Sequence, residues 1–320
     1  MNGKTLSLKP AVNGISFSKH GAAIIFILLM ILNGIFTPNF ASLGMLRNLL
    51  LQVFPIMIVS MGMTIVISSG GIDISVGSIM AVAAAALAKN LGIGIFPAIV
   101  IGLSIGVVFG AFNGFLIAKF KIQPMIVTLI LMVGGRGIAQ QLNNGYVISF
   151  YDHPFVELGL YSISGIPIQV FVMLLVIASV FILMYYMVLG KYIQAIGDNL
   201  RASELSGIKT FKITIIIYAL SAFFASLAAI FETSRICSAD PNTLGRFMEL
   251  DAIAAVAVGG TSMTGGKANV IGTVFGALII QLITISVNMN NINYYYSLIL
   301  KAVIIIAAMY LQQFRTKGTK

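Results

Sequence analysis

Residues 49–69 decide the fold, because they read LLLQVFPIMIVSMGMTIVISS and contain no charged side chain. A helix rises about 1.5 Å per residue, so about 20 apolar residues are needed to cross the hydrocarbon core of a bilayer. Apolar stretches of this kind recur from one end of the sequence to the other. The sequence therefore predicts an all-α fold, a polytopic bundle of transmembrane helices.

Ten apolar segments are predicted, and two of them are too short to cross a bilayer comfortably. The short ones lie at 77–91 and 250–260, where we expect broken or re-entrant helices that are buried against their neighbours. One transmembrane domain, residues 21–312, is expected between cytoplasmic tails at 1–20 and 313–320. The other eight segments fall at about 21–37, 49–69, 93–118, 124–141, 166–189, 211–232, 268–287 and 296–312.

Composition and charge agree with a location in the cell membrane. Hydrophobic residues make up 59% of the 320 residues and charged residues only 9%, against roughly a quarter in soluble domains. The net charge of +10 resides mainly in short loops and tails. This distribution is typical of the positive-inside pattern and favours topology over nucleic-acid binding as its cause. Ten crossings with both ends in the cytoplasm satisfy the pattern, except for Arg47, Lys89, Arg235 and Arg246.

Two glycine-rich stretches interrupt the apolar segments at similar places. The first, at 70–78, reads GGIDISVGS, and the second, at 259–267, reads GGTSMTGGK. Each is followed by a related sequence, IGVVFGA at 105–111 and IGTVFGA at 271–277. We interpret the pairs as a weak internal repeat, and glycine-broken segments at matching places indicate the solute pathway in transporters.

Asp73 is the charged residue of the first glycine-rich stretch. A charge near the centre of a bilayer costs about 2.5–3.5 kcal/mol on insertion scales, so we expect Asp73 to face protein or water rather than lipid. Two roles remain open at this point. Asp73 is placed either to cap the helix that starts near Ser75 or to take a direct part in the pathway.

The second glycine-rich stretch is similar to a phosphate-binding loop but lacks its spacing. In that motif a glycine stands five positions before the glycine of the Gly-Lys pair, and Ser or Thr follows the lysine. Here Thr261 stands five positions before Gly266, and Ala268 follows Lys267. If ATP powers transport, another subunit must therefore bind it.

A ladder of glycines spaced by four lies on one face of the segment 93–118. Such a face lets two helices pack closely, and we favour this interpretation over contact with solute. Asn113 lies beside the ladder, where its amide can hydrogen-bond to a neighbouring helix. The ladder consists of Gly102, Gly106, Gly110 and Gly114, and its spacing is repeated by Gly272 and Gly276.

The basic loop at 190–212 contains a short predicted helix. Its sequence at 195–208, AIGDNLRASELSGI, offers Asp198 or Asn199 as the N-cap and Gly207 as the stop. A helix of about two turns is too short to be stable alone. It must dock on something, and the residues alone leave open whether that is another protein or its own bundle.

Catalytic and metal-binding sets are missing from the sequence. There is one cysteine, Cys237, and the two histidines, His20 and His153, are far apart. No Ser-His-Asp set and no carboxylate pair at useful spacing occurs, so we expect neither an enzyme nor a metal or cofactor site. An ion-coupled transporter stays an alternative because of the few acids in apolar segments, namely Asp73, Glu232 and Asp251.

At three places the sequence resembles the ribose-type sugar permeases of ABC importers. The three are the stretches at 70–78 and 250–267 and the loop at 197–208, and they follow the family's order. The resemblance runs over most of residues 20–312. Glu204 departs from it, because a small residue is expected at that position of the loop.

The resemblance implies a permease subunit that forms the pathway for a monosaccharide such as ribose. Two permease chains would enclose the pathway, a cytoplasmic ATPase would hold the short helix, and an extracytoplasmic sugar-binding protein would deliver the solute. The residues implied in coupling to the ATPase are Gly197, Asp198, Asn199, Arg201, Ala202, Glu204, Ser206 and Gly207. Those implied in the pathway or its broken helices are Gly70, Gly71, Asp73, Ser75, Gly77, Asn113, Gly259, Gly260, Thr261, Gly265 and Gly266.

Other functions stay open beside this one. The first is a permease of the same superfamily for a branched-chain amino acid or a nucleoside. The second is a secondary transporter or channel that works alone. A membrane-embedded enzyme is disfavoured because the sequence offers no catalytic set.

Overall fold

The structure, a computed structural model, describes residues 17–151 and 154–317. The expected cytoplasmic tail up to residue 16 and the last three residues of the chain lie outside the described part. The helices are α1 (Phe17–Phe36), α2 (Leu43–Ser68), α3 (Val76–Asn90), α4 (Ile95–Phe120), α5 (Pro124–Leu142), α6 (Phe155–Leu160), α7 (Ile168–Tyr185), α8 (Val188–Asp198), α9 (Leu200–Leu205), α10 (Thr210–Ile236), α11 (Met248–Val258), α12 (Val270–Met289) and α13 (Tyr295–Lys317).

Four two-residue strands lie in the connections between helices. They pair antiparallel, β1 with β4 and β2 with β3, and no larger sheet forms among the described residues. Their bounds are β1 (Ile148–Ser149), β2 (Ser162–Ile163), β3 (Ile166–Pro167) and β4 (Ser238–Ala239).

Each of the ten predicted segments corresponds to one helix, and the all-α transmembrane bundle is confirmed. Among the described residues, seven helices are long and apolar enough to span a membrane: α2, α3, α4, α5, α7, α10 and α12. The prediction that 77–91 is too short needs correction, because the 3₁₀ turn Leu91–Ile93 lengthens α3. In contrast, α11 has only 11 residues, which is about 16 Å of helix.

The connections gather at two ends of the bundle. At the strand end, β1 pairs with β4, and the side-chain amide of Asn242 donates to the carbonyl of Gly145 over 3.2 Å. The opposite end, here the glycine end, contains the first break (residues 69–75), the connection 186–209 and the second break (residues 259–269). With α11 counted as one crossing, the chain alternates ten times between the ends. Thus α1 begins and α13 ends at the glycine end.

Helices α2 and α3 form the centre of the bundle. Residues 53–68 of α2 and residues 76–88 of α3 are all buried. By contrast, α4, α5 and α7 bury one face and expose large apolar side chains such as Val108, Ile130 and Leu175 on the other. Lipid tails are as apolar as these side chains, so the outer helices can face the bilayer at little cost.

The glycine ladder of α4 packs mainly on α10. A Cβ at Gly110 would collide with Ala222, and one at Gly114 would lie 2.6 Å from the Cα of Ile215. The predicted close packing is therefore present, because the two backbones approach more closely than a side chain allows. In the second copy of the proposed repeat, Gly276 packs against α11 instead. The repeat thus keeps its spacing and changes its partner.

Candidate functional site

Three connections meet at the glycine end, and main-chain atoms make the contacts. The N–H of Gly266 donates to the carbonyl oxygen of Ser68, the last residue of α2, over 3.0 Å. Gly197, in the last turn of α8, packs directly against the two atoms of this hydrogen bond. A Cβ at Gly197 would overlap the Ser68 oxygen and come 2.7 Å from the Gly266 nitrogen. The connection between α7 and α10 therefore touches both the end of α2 and the second break.

Gly265 and Gly70 also take part in this contact. We call the whole contact the glycine joint, and it consists of Ser68, Gly70, Gly197, Gly265 and Gly266. A Cβ at Gly265 would come 2.6 Å from the Gly197 carbonyl oxygen, whereas one at Gly70 would make only an ordinary contact at 3.7 Å from the Gly197 Cα. Gly70, Gly265 and Gly266 have φ angles of +83°, +89° and +82°. Glycine adopts this left-handed conformation without the usual penalty. Gly197 has no positive φ, so space alone demands glycine there.

A buried polar network holds the first break. One carboxylate oxygen of Asp73 accepts from the N–H of Ser75 at 3.0 Å and from its hydroxyl at 2.6 Å. The other oxygen accepts from the hydroxyl of Ser221 on α10 at 2.9 Å. The Ser75 hydroxyl in turn accepts from the side-chain amide of Asn113 on α4 at 3.0 Å. Asp73 and Ser75 have no exposed surface, so the acid faces protein, as predicted.

The helix-capping role considered for Asp73 needs correction. Helix α3 begins at Val76, its N-cap residue is Ser75, and no side-chain cap hydrogen bond forms there. Asp73 instead binds the residue before the helix and anchors that turn to α10. Sequence reasoning found Asn113 by its place beside the ladder but missed Ser221, which lies 148 residues from Asp73.

Two further glycines of the predicted set make room beside this network. A Cβ at Gly71 would collide with the hydroxyl of Tyr218 on α10. A Cβ at Gly77 would collide with the carbonyl of Gly245 and come 2.6 Å from Oε2 of Glu249. The start of α3 can therefore lie directly against α10 and against the segment that leads into α11.

Arg136 of α5 fixes the loop that enters the bundle before α11. Its guanidinium donates to the carbonyl oxygens of Leu244 at 2.8 Å and Pro241 at 3.1 Å, and more weakly to that of Gly77 at 3.4 Å. Sequence reasoning missed Arg136, because one arginine in an apolar segment does not indicate partners about a hundred residues away. It connects α5, this loop and the start of α3.

Asn269 organises the second break. Its side-chain oxygen accepts from the N–H of Gly272 at 3.0 Å, as the N-cap of α12. Its amide donates to the carbonyl of Gly259 at 2.8 Å, and its own N–H donates to Oγ1 of Thr261 at 3.0 Å. Gly260 turns the chain with a φ of +82°. The structure thus brings Gly259, Gly260 and Thr261 together around Asn269, a residue that the sequence reasoning missed.

The short helix α9 is present where it was predicted. Asn199 rather than Asp198 caps it, because the Asn199 side chain accepts from the N–H of Ala202 at 2.9 Å. At the other end, the N–H of Ile208 donates to the carbonyl of Ser203 over 3.1 Å. Gly207, with a φ of +81°, makes the intervening turn.

Helix α9 buries Ser203 but exposes most of its other side chains. Leu205 is 82% exposed and Leu200 48%, which leaves an accessible apolar contact surface at the glycine end. Within the predicted coupling set, Gly197 belongs to the glycine joint, and the other members form an exposed group. Asp198 of that group borders the joint, because a Cβ at Gly266 would lie 3.2 Å from its Oδ1 atom. The exposed group consists of Asp198, Asn199, Arg201, Ala202, Glu204, Ser206 and Gly207.

An ion pair inside the bundle joins α11 to α13. The Nζ of Lys301 lies 2.8 Å from one carboxylate oxygen of Asp251 and 2.9 Å from the other. Asp251 was identified as an intramembrane acid, but Lys301 was missed as its partner because 50 residues separate them. Pairing satisfies a charge that is expensive within the bilayer, so Asp251 has a structural role here.

At the strand end, Asp240 closes a turn in the loop before α11. The Asn242 N–H donates to it at 2.9 Å, and the Thr243 hydroxyl donates to its other oxygen. Partial burial raises the pKa of Asp240, but these hydrogen bonds to the charged form outweigh burial and hold its pKa below the usual value. The acid therefore keeps this turn closed at neutral pH.

Three charged side chains in the interior of the bundle are engaged in structural bonds. Within residues 17–151 and 154–317, no group of three or more His, Cys, Asp or Glu side chains is placed to hold a metal. Among the interior charges, Asp73 binds hydroxyls, Arg136 binds carbonyls, and Lys301 binds an acid. Around them, glycine turns join helices at the end that carries α9.

Comparison with known proteins identifies the family. The family described as branched-chain amino acid transport system / permease component matches residues 45–309. The chain belongs to this permease family. The matched residues include both breaks, the glycine joint and α9. The family match and the apolar helices together show that the chain is a multi-pass membrane protein.

Relatives of the chain include permeases named for sugars. The ribose import permease protein of Escherichia coli (strain K12) is 39% identical over 279 residues, 85% of this chain and 87% of the relative. The galactofuranose transporter permease protein of the same strain is 34% identical over 302 residues, 91% and 89% of the two chains. The fructose import permease protein of Bifidobacterium longum is 36% identical over 276 residues, 81% and 78%. The resemblance to ribose-type permeases is thus confirmed, while no solved structure matches the chain.

Proposed function

We propose that the chain is the transmembrane permease subunit of an ABC importer and forms the pathway for a sugar. The observation that carries the proposal is the likeness, over most of both chains, to permeases named for ribose, galactofuranose and fructose. A monosaccharide is the first candidate solute, and ribose the first to test, because the ribose relatives from two further species are also 37% and 40% identical.

A separate ATPase supplies the energy in this proposal. The loop that most nearly matches a phosphate-binding motif lacks its spacing, and two of its glycines, Gly265 and Gly266, pack on α8. The ATPase docks on α9, where Leu200 and Leu205 offer an apolar contact and Arg201 and Glu204 a charged rim. A helix of this length is marginal in isolation, so a partner packed on its exposed side chains would stabilise it.

The glycine end faces the cytoplasm in this arrangement, and both termini lie on that side. Support comes from the basic residues in the connections at that end, which follow the positive-inside pattern. An extracytoplasmic sugar-binding protein delivers the solute at the strand end, and a second permease chain, identical or paired, completes the pathway. The basic residues concerned are Lys119, Lys121, Lys191, Arg201, Lys209 and Lys212.

Uptake by the reconstituted complex tests the proposal. Proteoliposomes that contain the chain with its ATPase and binding protein should take up labelled ribose only when ATP is present. Fructose, galactose and leucine serve as parallel substrates, because the family's description names branched-chain amino acids. Leucine uptake in place of sugar uptake would indicate that the chain is an amino-acid permease. Sugar movement by the chain alone, driven by an ion gradient, would make it a secondary transporter.

Gly207 tests the docking part of the proposal. Val at a φ of +81° strains the turn that ends α9, so Gly207→Val should lower uptake by about tenfold while the chain remains in the membrane. Asn tolerates this backbone conformation, so Gly207→Asn is the matched control and should retain most uptake. Normal sugar-stimulated ATP hydrolysis in Gly207→Val would contradict docking through α9.

A further inference from the structure

We propose that Gly197 is a positioning residue through which movement of α9 reaches both breaks of the bundle at once. The inference rests on the proposed function, because it needs an ATPase that moves α9. It adds the point at which that movement enters the membrane domain. Neither docking on α9 nor membership of the family requires that the two breaks respond together.

Helices α8 and α9 are joined by a single residue that caps both of them. The N–H of Asn199 donates to the carbonyl of Ala195 in α8 over 3.0 Å, and its side chain caps α9. Because one residue caps both helices, the connection between them is short and rigid. A displacement of α9 is therefore passed to the last turn of α8. That turn contains Gly197.

The glycine joint transmits displacement because its contacts are between main-chain atoms. A side chain absorbs small shifts by changing rotamer, but the Ser68 carbonyl, the Gly197 backbone and the Gly266 N–H have no such freedom. Gly197 touches both partners of the Ser68–Gly266 hydrogen bond at distances that exclude even a methyl group. Tightly packed contacts of this kind switch between arrangements rather than deform gradually.

From the joint, one route leads through each break. Ser68 is followed by the first break, where Asp73 binds Ser221 of α10 and, through Ser75, Asn113 of α4. Gly266 belongs to the second break, which Asn269 fixes to the start of α12. A shift of α8 therefore reaches α10 and α4 by one route and α12 by the other, through a short stretch of main chain and the hydrogen bonds at its end.

The identity of residue 197 itself supports this role. Gly is unfavourable in a helix compared with Ala, and nothing in the backbone angles of α8 requires it at this position. The close approach of Ser68 and Gly266 is what excludes a larger residue. Contact with the two breaks, and not the conformation of its own helix, thus requires glycine at position 197.

The variant Gly197→Ala tests the inference in the complete complex with ATPase and binding protein. We expect the complex to assemble and to hydrolyse ATP within about twofold of the wild-type rate, while uptake per ATP falls by about tenfold. Gly44→Ala is the matched control, since Gly44 has open space around it at the far end of α2. Wild-type uptake per ATP in Gly197→Ala would overturn the inference. A merely structural role would lower hydrolysis and uptake in proportion.

Hydrogen exchange on the wild-type complex gives a second test that does not depend on a variant folding. ATP binding should change amide protection at 69–75 and 259–269 together, including the Gly266 N–H that bonds to Ser68. A change confined to 188–207, or to one break, would overturn the inference while uptake stays intact. Failure of the proposed function has a different signature, because the wild-type complex would then take up no sugar at all.

Discussion

The network-forming side chains of the first break are buried inside the bundle, whereas several residues of the second break lie at its surface. Asp73 and Ser75 of the first break have no exposed area, and their side chains bind α4 and α10. In the second break, Gly260, Thr264 and Lys267 are exposed. There the side-chain bonds come mainly from Asn269 and lie within the break and the first turn of α12. One further bond comes from outside, because the hydroxyl of Tyr185 on α7 donates to the carbonyl of Ala268.

The difference shows that a shared glycine pattern specifies a turn and not the bonds that hold it. Both breaks begin with Gly-Gly after a helix, and one of these glycines has a φ near +82° in each. The side chains of the first turn then tie helices that are distant in sequence. Most side-chain bonds of the second turn are local, and its contacts with α2 and α8 are made by main-chain atoms. Substitutions in the two breaks should therefore differ in the size of their effect on stability.

The largest effect is expected from the ion pair that anchors α11, the helix leading into the second break. Lys301→Met leaves the Asp251 carboxylate unpaired in the bundle, which should cost about 3–5 kcal/mol of stability. Unfolding in detergent, followed by circular dichroism, measures the loss. Adding Asp251→Leu should restore most of it, because no lone charge remains. Equal stability of wild type and Lys301→Met would show that the pair does not hold α11.

The second largest effect is expected at the first break. Asp73→Ala removes the acceptor from two hydrogen-bond donors of Ser75 and one of Ser221, at a cost of roughly 2–4 kcal/mol. Lower abundance in the membrane and a lower unfolding temperature are the measurements. Asp240→Ala, in an exposed turn at the strand end, is the control and should have a much smaller effect. Wild-type abundance and unfolding of Asp73→Ala would contradict an interhelical role for the network.

A smaller effect is expected at the second break. Asn269→Ala removes the N-cap of α12 and the bond to the Gly259 carbonyl, which should cost about 1–2 kcal/mol. The exposed Asn288 in the last turn of the same helix provides a control substitution to Ala. If Asn269→Ala destabilises the chain more than Asp73→Ala does, the contrast between an interhelical and a local break is wrong.

The smallest effect should be the same in both breaks. Gly70 and Gly260 have φ angles of +83° and +82°, and a Cβ at either would meet its nearest neighbour at 3.7 Å. Only backbone strain remains, so Gly70→Ala and Gly260→Ala should each cost about 1 kcal/mol. Asn at either position should relieve part of that cost. Unequal losses in the two Ala variants would show that the turns are not equivalent.

Local signals in the sequence were sufficient to predict where the helices lie. The predicted segment 124–141 became Pro124–Leu142, and 211–232 became Thr210–Ile236, because the length of an apolar stretch determines whether it can span a bilayer. The short helix α9 was equally accessible, since Asn199 and Gly207 are local start and stop signals. Both breaks were also visible, because at these places glycine pairs stand together with Ser, Thr or Asp and interrupt the apolar runs.

The partners that complete the candidate site were not accessible in this way. Ser221, Lys301 and Arg136 are single polar residues in apolar helices, and their partners lie about 50 to 150 residues away. Asn269 was missed for another reason, because its cap position became clear only once the start of α12 was known. A single polar residue carries no pattern, so its role depends on which helices pack together.

By itself, the sequence determined that this protein is a bundle of about ten membrane helices with two glycine breaks and one short helix between spans. These features depend on apolar length, helix caps and glycine turns, all of which act over a few residues. Only the tertiary structure decided that Gly197, Ser68 and Gly266 meet in one joint. The physical reason is that the joint consists of main-chain contacts. Their positions follow from the packing of helices that lie far apart in the chain.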